Sequence, residues 1–406
     1  MPHGLPAPGR VNPNAMAETA LQPDLPAEPA VGLPGSHQSA PEAGGILTVN
    51  LDAIVANWQE LGRRAMPSEC AAVIKAAGYG CGIEPVAHAL SRAGCKTFFV
   101  ADLAEARRAR TAAPDATIYV LNGLLPGTAS AFPDIGARPV IGSLVELAEW
   151  DAFCSVNQWR GGAALHVDTG MNRLGISTDE AAALAPRIRA ENHGITLLMS
   201  HLACAEQPDH PLNEHQMNLF REVRLLYRGI PGSLANSSGI FLGNGAHCDL
   251  VRPGAALFGV NPTPGRRNPM RPVIELQARV VLVRNVPKGE TIGYNGTWTA
   301  KHPTRVAVVA VGYADGYPRA ASATDAAPGS DVIVAGTRCP LAGRVSMDLM
   351  AIDITAVADH SVKRGDLVTL IGGEIGVDDL AAAAGTIGYE VLTSLGPRYN
   401  RIYRQT

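Results

Sequence analysis

The sequence predicts an α/β protein: a (β/α)8 barrel of the TIM type followed by a mostly β C-terminal domain. Three observations predict it. Short apolar runs alternate with amphipathic helical stretches from residue 71 to residue 254. Beyond about residue 270 the texture changes to strand-like segments separated by turns rich in Gly, Pro and Asp. The first apolar run, Ala71-Ala72-Val73-Ile74, ends in Lys75 and a turn holding Gly78, Tyr79, Gly80 and Gly82. Strand ends of this kind are where α/β folds place their chemistry.

Residues 1–44 are rich in Pro, Ala, Gly and Glu and lack any hydrophobic period, so a disordered extension is expected there. Residues 45–52 read as a strand running into a helix that starts near Asp52, a suitable N-cap, and continues through Asn57, Trp58 and Leu61. A barrel is expected over 45–270, with the strand 45–50 pairing to the C-terminal domain instead. Its strands fall at 71–75, 97–101, 117–122, 139–142, 163–168, 196–201, 232–237 and 250–254. Helices fit at 84–93, 103–112, 143–156, 179–191 and 213–227, and the third and seventh connections are short or irregular. The strand count alone also permits an open doubly wound sheet. The Pro-rich stretch 261–271 marks the boundary. The β domain, 271–406, has strand-like segments at 273–285, 305–311, 331–334, 338–341, 349–353 and 366–371, with a helix at 377–384.

The 406 residues suit two domains and are 46% hydrophobic and 17% charged, enough for a sizeable core. A net charge of −3 gives no electrostatic reason to expect nucleic acid. No apolar run has the length of a membrane span, and the N-terminus lacks the blocks of a secretory signal. Seven scattered cysteines, an odd number without a Cys-x-x-Cys pair, fit reduced thiols in a cytoplasmic enzyme.

The strand ends collect a definite chemistry. Desolvation at the end of a buried strand lowers a lysine's pKa, and a neutral amine attacks carbonyls to form a Schiff base. Alone, Lys75 would read as a lysine capping a strand. Beside it fall Asp168-Thr169-Gly170-Met171-Asn172-Arg173, Ser200-His201, Asn236-Ser237-Ser238-Gly239 and Arg252-Pro253-Gly254-Ala255. Hydroxyls and free N–H groups at glycine turns suit a phosphate. A phosphate-bearing aldehyde cofactor accounts for the set. Taken singly, Asp168-Thr-Gly is a turn, His201 a core histidine and Arg252 an ion-pair partner. A metal site from His201, Cys204, His210 and His215 matches no zinc spacing, so no metal is expected.

The string around Lys75 resembles the pyridoxal-phosphate (PLP) lysine motif of the alanine racemase family, with Gly78 and Cys81 where alanine and histidine are usual. The resemblance covers about residues 46 to 406. It implies that Lys75 carries PLP and that Tyr79, Asn236, Ser237, Gly254 and Ala255 bind its phosphate. His201 packs against the pyridine ring, hydrogen-bonded as well, and Arg252 faces the pyridine nitrogen. Within Val167–Gly175, Arg173 binds the substrate carboxylate; Gly343–Asp348 resembles a segment whose Met347 N–H does the same. The string 288–296 resembles the one carrying the second base, Tyr294, which reaches the site from the other subunit of a head-to-tail homodimer. Tyr313, Arg319 and Arg344 line the site's entrance.

The expected activity is therefore interconversion of L- and D-alanine by two bases, Lys75 and Tyr294, supplying D-alanine for peptidoglycan. An arginine cannot protonate the pyridine nitrogen, so the ring is a weaker electron sink and transamination is suppressed. Two departures bear on this. His166 stands where the family often has a carbamylated lysine that positions the arginine, so Arg173 must be held otherwise. Pro397 falls where many members have a tyrosine narrowing the entrance, which suggests a broader racemase acting also on serine. A PLP decarboxylase of the same build is disfavoured by Arg252, because such enzymes place a carboxylate there. A non-catalytic PLP-binding protein built from the barrel alone is disfavoured by the β domain and Tyr294.

Overall fold

A computed structural model describes residues 41–191 and 194–405. Of the expected N-terminal extension, residues 1–40 lie outside the described residues. Ala43 is buried, and the Gly44 carbonyl accepts the Arg279 N–H at 2.8 Å, so packing begins just before the first strand.

The first barrel strand is interrupted, Glu69–Cys70 then Ala72–Val73. Thr97–Val100, Thr117–Val120, Ala137–Ile141, Ala163–His166, Ile195–Met199 and Gly232–Ser233 follow, each parallel to the one before. The last strand, Leu250–Val251, pairs in parallel with Glu69–Cys70. The Asp249 and Arg252 N–H groups reach the Gly232 and Ala235 carbonyls at 2.9 Å, and Ala71 and Val73 donate to Val251 and Pro253. These bonds close the barrel and exclude the open sheet.

Alternation along the strands fills the interior. Ala71, Val73, Phe99, Tyr119, Val140, Ala164, Leu197, Met199 and Leu250 form one buried cluster, in which each Val, Leu, Met or Phe side chain contributes about 1.5–3 kcal/mol when fully buried. Two residues on from Val73, Ala164, Met199 and Leu250 stand Lys75, His166, His201 and Arg252. The period of two therefore carries these four to the barrel's C-terminal mouth.

Helices Ile83–Arg92, Leu103–Ala112, Leu144–Asn157, Thr178–Glu191 and Pro211–Leu226 cover the outside. Four begin on side-chain caps: Asp102 accepts the Glu105 N–H at 2.9 Å, Ser143 the Glu146 N–H at 3.2 Å, Ser177 the Glu180 N–H at 3.1 Å and His210 the Leu212 N–H at 3.2 Å. The third connection holds only the short helix Ala131–Ile135; the seventh holds a 3-10 turn, Gly239–Leu242, and Asn244–His247. The helix expected to start near Asp52 runs Leu51–Ala65 instead. Its cap is Asn50, whose Oδ1 accepts the Ala53 N–H at 2.9 Å and leaves Asp52 in the first turn.

The long strand Ile274–Val286 is the spine of the β domain. Gly45–Asn50 lies antiparallel to it, Gly45 opposite Ala278, and parallel to the last strand, Asn400–Arg404. Thr304–Val309 and Leu367–Ile371 also pair with the spine. The strand Asn400–Arg404 and the helix Gly388–Ser394 were not expected; the strand is a polar edge in which only Ile402 and Tyr403 break the charge. Their packing on the barrel bears directly on the site.

Buried Asn57 joins the first helix to the connection between the domains. Its amide donates to the Leu257 and Arg271 carbonyls at 3.1 and 3.0 Å, and its oxygen accepts the Arg271 N–H at 2.7 Å. Asn57→Ala strands three backbone groups. We expect it to cost about 3 kcal/mol, read as a lower urea midpoint at unchanged slope; a midpoint that does not move would refute the role.

Candidate active site

Lys75 opens a turn that L-residues resist. Ala76, Ala77, Gly78, Tyr79 and Gly80 follow with φ of 53°, 53°, 64°, 50° and 77°. Left-handed backbone costs a non-glycine residue roughly 1–2 kcal/mol, so something must hold it. The Gly78 and Gly80 N–H groups reach the Ile74 and Ala76 carbonyls, both at 2.9 Å. The Glu105 carboxylate accepts the Ala77 N–H at 2.9 Å and the Ala101 N–H at 2.8 Å. A Cβ at position 80 would lie 2.2 Å from the Leu392 carbonyl oxygen, so the C-terminal helix presses the turn from outside. Burial, followed by the Arg173 charge, pulls the half-buried Lys75 amine below its ordinary range, and Glu105 opposes this.

Beside the turn lies a cradle of donors. The Tyr79 ring stacks on Phe258 at 4.8 Å. A Cβ on residue 254 would sit 2.4 Å from the Tyr79 hydroxyl, which only glycine allows. Burial pushes that phenol up to about 12, so it keeps its proton and can donate. Ser237 Oγ accepts the Gly254 and Ala256 N–H groups at 3.0 and 3.2 Å, leaving its own proton to point outward. The N–H groups of Ser237, Ser238 and Ala255 meet no acceptor among the described residues. Asn236 shapes the turn: its oxygen accepts the Gly239 N–H at 2.9 Å and its amide donates to the Leu202 carbonyl at 3.4 Å.

Arg252 is buried across the mouth. It donates to Ser233 Oγ and the Ser200 carbonyl, both at 2.5 Å, and to His201 Nδ1 at 3.4 Å, with its guanidinium 5.8 Å over the Phe99 ring. Burial brings it down to about 10, so it stays cationic at neutral pH. Burial and then Arg252 hold His201 well below the ordinary imidazole range. The ring is neutral, and a donor at Nδ1 puts its proton on Nε2. Burial, Arg252 and Arg173 likewise bring His166 down to about 4, against the weaker pull of Asp168.

Asp168 closes its own turn, accepting the Gly170, Met171 and Asn172 N–H groups. Arg173, carried beyond that turn, is exposed and has no hydrogen-bond or ion-pair partner among the described residues. Two side chains that sequence reading missed support this rim. Buried Gln216 donates to the His201 carbonyl at 2.8 Å and accepts the Ala203 N–H at 2.9 Å. Glu105 bridges two strand ends; its signal was the Asp102-x-x-Glu105 spacing at a helix start. His210 of the hypothetical metal quartet caps its own helix, accepting the Leu212 N–H at 3.2 Å. Among the described residues no three His, Cys, Asp or Glu side chains gather around a metal-sized site.

The remaining candidates form a second group on the β domain. Tyr294, Tyr313 and Met347 are 68%, 39% and 53% exposed, Arg319 is exposed and Arg344 half-buried. Backbone bonds join their loops: Tyr313 N–H to the Ser346 carbonyl, 3.0 Å, and Ala314 N–H to that of Met347, 2.9 Å. Arg344 Nε reaches Thr297 Oγ1 at 3.4 Å. Within the chain no hydrogen bond or ring contact among the described residues links this group to Lys75.

A desolvated lysine on the first barrel strand, an anion cradle beside it and a trailing β domain mark the barrel class of PLP enzymes. Comparison with known proteins narrows the class. Family models for the alanine racemase N-terminal and C-terminal domains match residues 49–262 and 273–403. An alanine racemase of Methylobacterium sp. (strain 4-46) is 52% identical over 89% of this chain and 98% of its own length. A catabolic alanine racemase of Mesorhizobium japonicum is 46% identical over 93% and 97%. The crystal structure of the Bartonella henselae alanine racemase, with covalently bound pyridoxal phosphate, superposes with a TM-score of 0.83 at 36% identity, covering 89% of this chain and all of that one. The chain belongs to the alanine racemase family.

The depressed His166 has a consequence for stability. Between about pH 4 and 6.5 the unfolded chain binds a proton at this residue that the folded chain refuses. Stability is therefore full above pH 6.5 and falls as pH drops, by on the order of 2 kcal/mol at pH 5 from this group. Thermal unfolding of His166→Gln should show a shallower loss between pH 7 and 5 than the parent; identical slopes would contradict the assignment.

Proposed function

We propose that this protein racemises alanine with PLP held through Lys75, and that its active unit is a head-to-tail homodimer. The observation that carries the reading is the mouth itself: a lowered lysine amine beside a donor cradle, with a buried arginine and no carboxylate paired to it among the described residues. The group fits. Tyr79, Ser237 and the free amides around Ala255 have the donors for a phosphate dianion, and the Gly254–Tyr79 contact leaves that surface open. When bound, PLP supplies the electron-withdrawing ring that acidifies the substrate's Cα–H.

The chain's residues do the rest. Arg252 would face the ring nitrogen with a donor that cannot give it a proton, which would limit how much charge the ring accepts. Neutral His201, fixed by Arg252, would lie along the ring face. Arg173 and the Met347 N–H hold the substrate carboxylate. Lys75 takes or returns the Cα proton on one face, which a lowered amine pKa favours at neutral pH. The Tyr294 hydroxyl serves the other face. Its 68% exposure in a single chain is what a residue delivered to a partner requires, and Tyr313, Arg319, Arg344 and Met347 belong with it at the entrance.

In the cell the reaction would supply D-alanine for peptidoglycan. All seven cysteines are unpaired, which supports a cytoplasmic location, and among the described residues no helix is long and apolar enough to cross a membrane. Pro397, whose ring lacks the reach of a tyrosine, favours some turnover of serine.

Chiral chromatography after incubation with PLP and L- or D-alanine should show both enantiomers approaching an equal mixture, without pyruvate or ethylamine. Tyr294→Phe should lower kcat in both directions by about 10²–10⁴-fold while the cofactor absorbance persists. Near-normal turnover by that variant would remove Tyr294 as the second base.

A further inference from the structure

Three segments far apart in the sequence meet at one guanidinium on the β domain. Arg398 Nε lies 3.2 Å from Asp315 Oδ1, and Nη1 lies 2.8 Å from Asp348 Oδ1. Asp315 ends the turn that presents Tyr313; Asp348 follows Met347; Arg398 belongs to the C-terminal run that packs on both. The Gly396 N–H adds a bond of 2.9 Å to the Asp315 carbonyl. Pro397, with its fixed φ, stiffens the stretch that carries the arginine.

The orientation of the Met347 N–H follows from this junction. It shares a peptide plane with the Ser346 carbonyl, which accepts the Tyr313 N–H at 3.0 Å. In a trans peptide the N–H points opposite to the carbonyl, so the Met347 N–H faces away from the 312–316 loop. It meets no acceptor among the described residues, and Met347 is 53% exposed. Whatever keeps the 312–316 and 346–348 loops in register therefore aims this donor outward.

We propose that Arg398 is a positioning residue for the substrate carboxylate: by bridging Asp315 and Asp348 it locks the two loops so that the Met347 N–H is presented to the active site. This deepens the racemase reading above and rests on it. The duller reading is a surface ion pair, worth roughly 0–1 kcal/mol. Asp315 argues against that. Its side chain is only 7% exposed, and its second oxygen accepts the Gly312 N–H at 2.9 Å to close the Tyr313 turn. Without Arg398 the Asp315 and Asp348 carboxylates would be left as neighbours without a bridging cation, one of them buried, and repulsion would part the loops.

The test uses holoenzyme with saturating PLP, assayed in both directions and inhibited with propionate, which has the substrate's carboxylate and methyl without its amine. Arg398→Gln should raise KM for alanine and Ki for propionate together, about tenfold, with kcat within about threefold of the parent. Arg398→Lys should recover part of both, because one cation still faces the pair. Adding Asp348→Asn to Arg398→Gln should also recover part, because the repulsion is gone. Unchanged KM and Ki in Arg398→Gln, in a parent that racemises alanine, would overturn the positioning role alone. Should Arg398→Gln fail to fold, an unchanged Ki in Arg398→Lys overturns it equally. A parent that turns over no alanine removes both readings.

Discussion

Arg252 donates to Ser233 Oγ, the Ser200 carbonyl and His201 Nδ1 from a buried position, and no carboxylate is paired with it among the described residues. Without an anion, the desolvation cost of this cation is offset by neutral acceptors and an aromatic face. Burial, and after it this charge, keep His201 and His166 neutral.

Around this charge the barrel mouth is held under strain. The run of left-handed residues after Lys75 would relax if left alone. Glu105 restrains it from the second strand's helix, and the C-terminal helix presses on Gly80 from the β domain. The two domains are therefore coupled at the lysine. Asn57 contributes from the opposite side, tying the first helix to the connection between them. The β domain shapes the turn on which its own barrel's lysine sits.

Much of this was legible in the sequence, for stated reasons. A period of two in short apolar runs identifies strands, and it carries Lys75, His166, His201 and Arg252 to one end of one surface. The helices at 103–112 and 377–384 match the observed Leu103–Ala112 and Val377–Ala384: Asp102 caps the first and Pro114 follows it, while Gly376 and Gly385 bound the second. The misses were equally physical. Asn50 and Asp52 are both good caps, and only the backbone path decided between them. The last strand, Asn400–Arg404, is too polar to signal itself and forms because Gly45–Asn50 offers it an edge.

Sequence by itself determined the alternation of strands and helices, the residue types at the strand ends, and the family resemblance that orders them, because these depend on periodicity and on local chemistry. Tertiary structure alone decided that the barrel closes, that Arg252 lacks an anion, and that Glu105, Gln216 and Arg398 hold loops remote from them in the chain. Those outcomes depend on which groups lose water together and which carbonyls remain to be satisfied. No local pattern encodes that, because the partners lie tens to hundreds of residues apart.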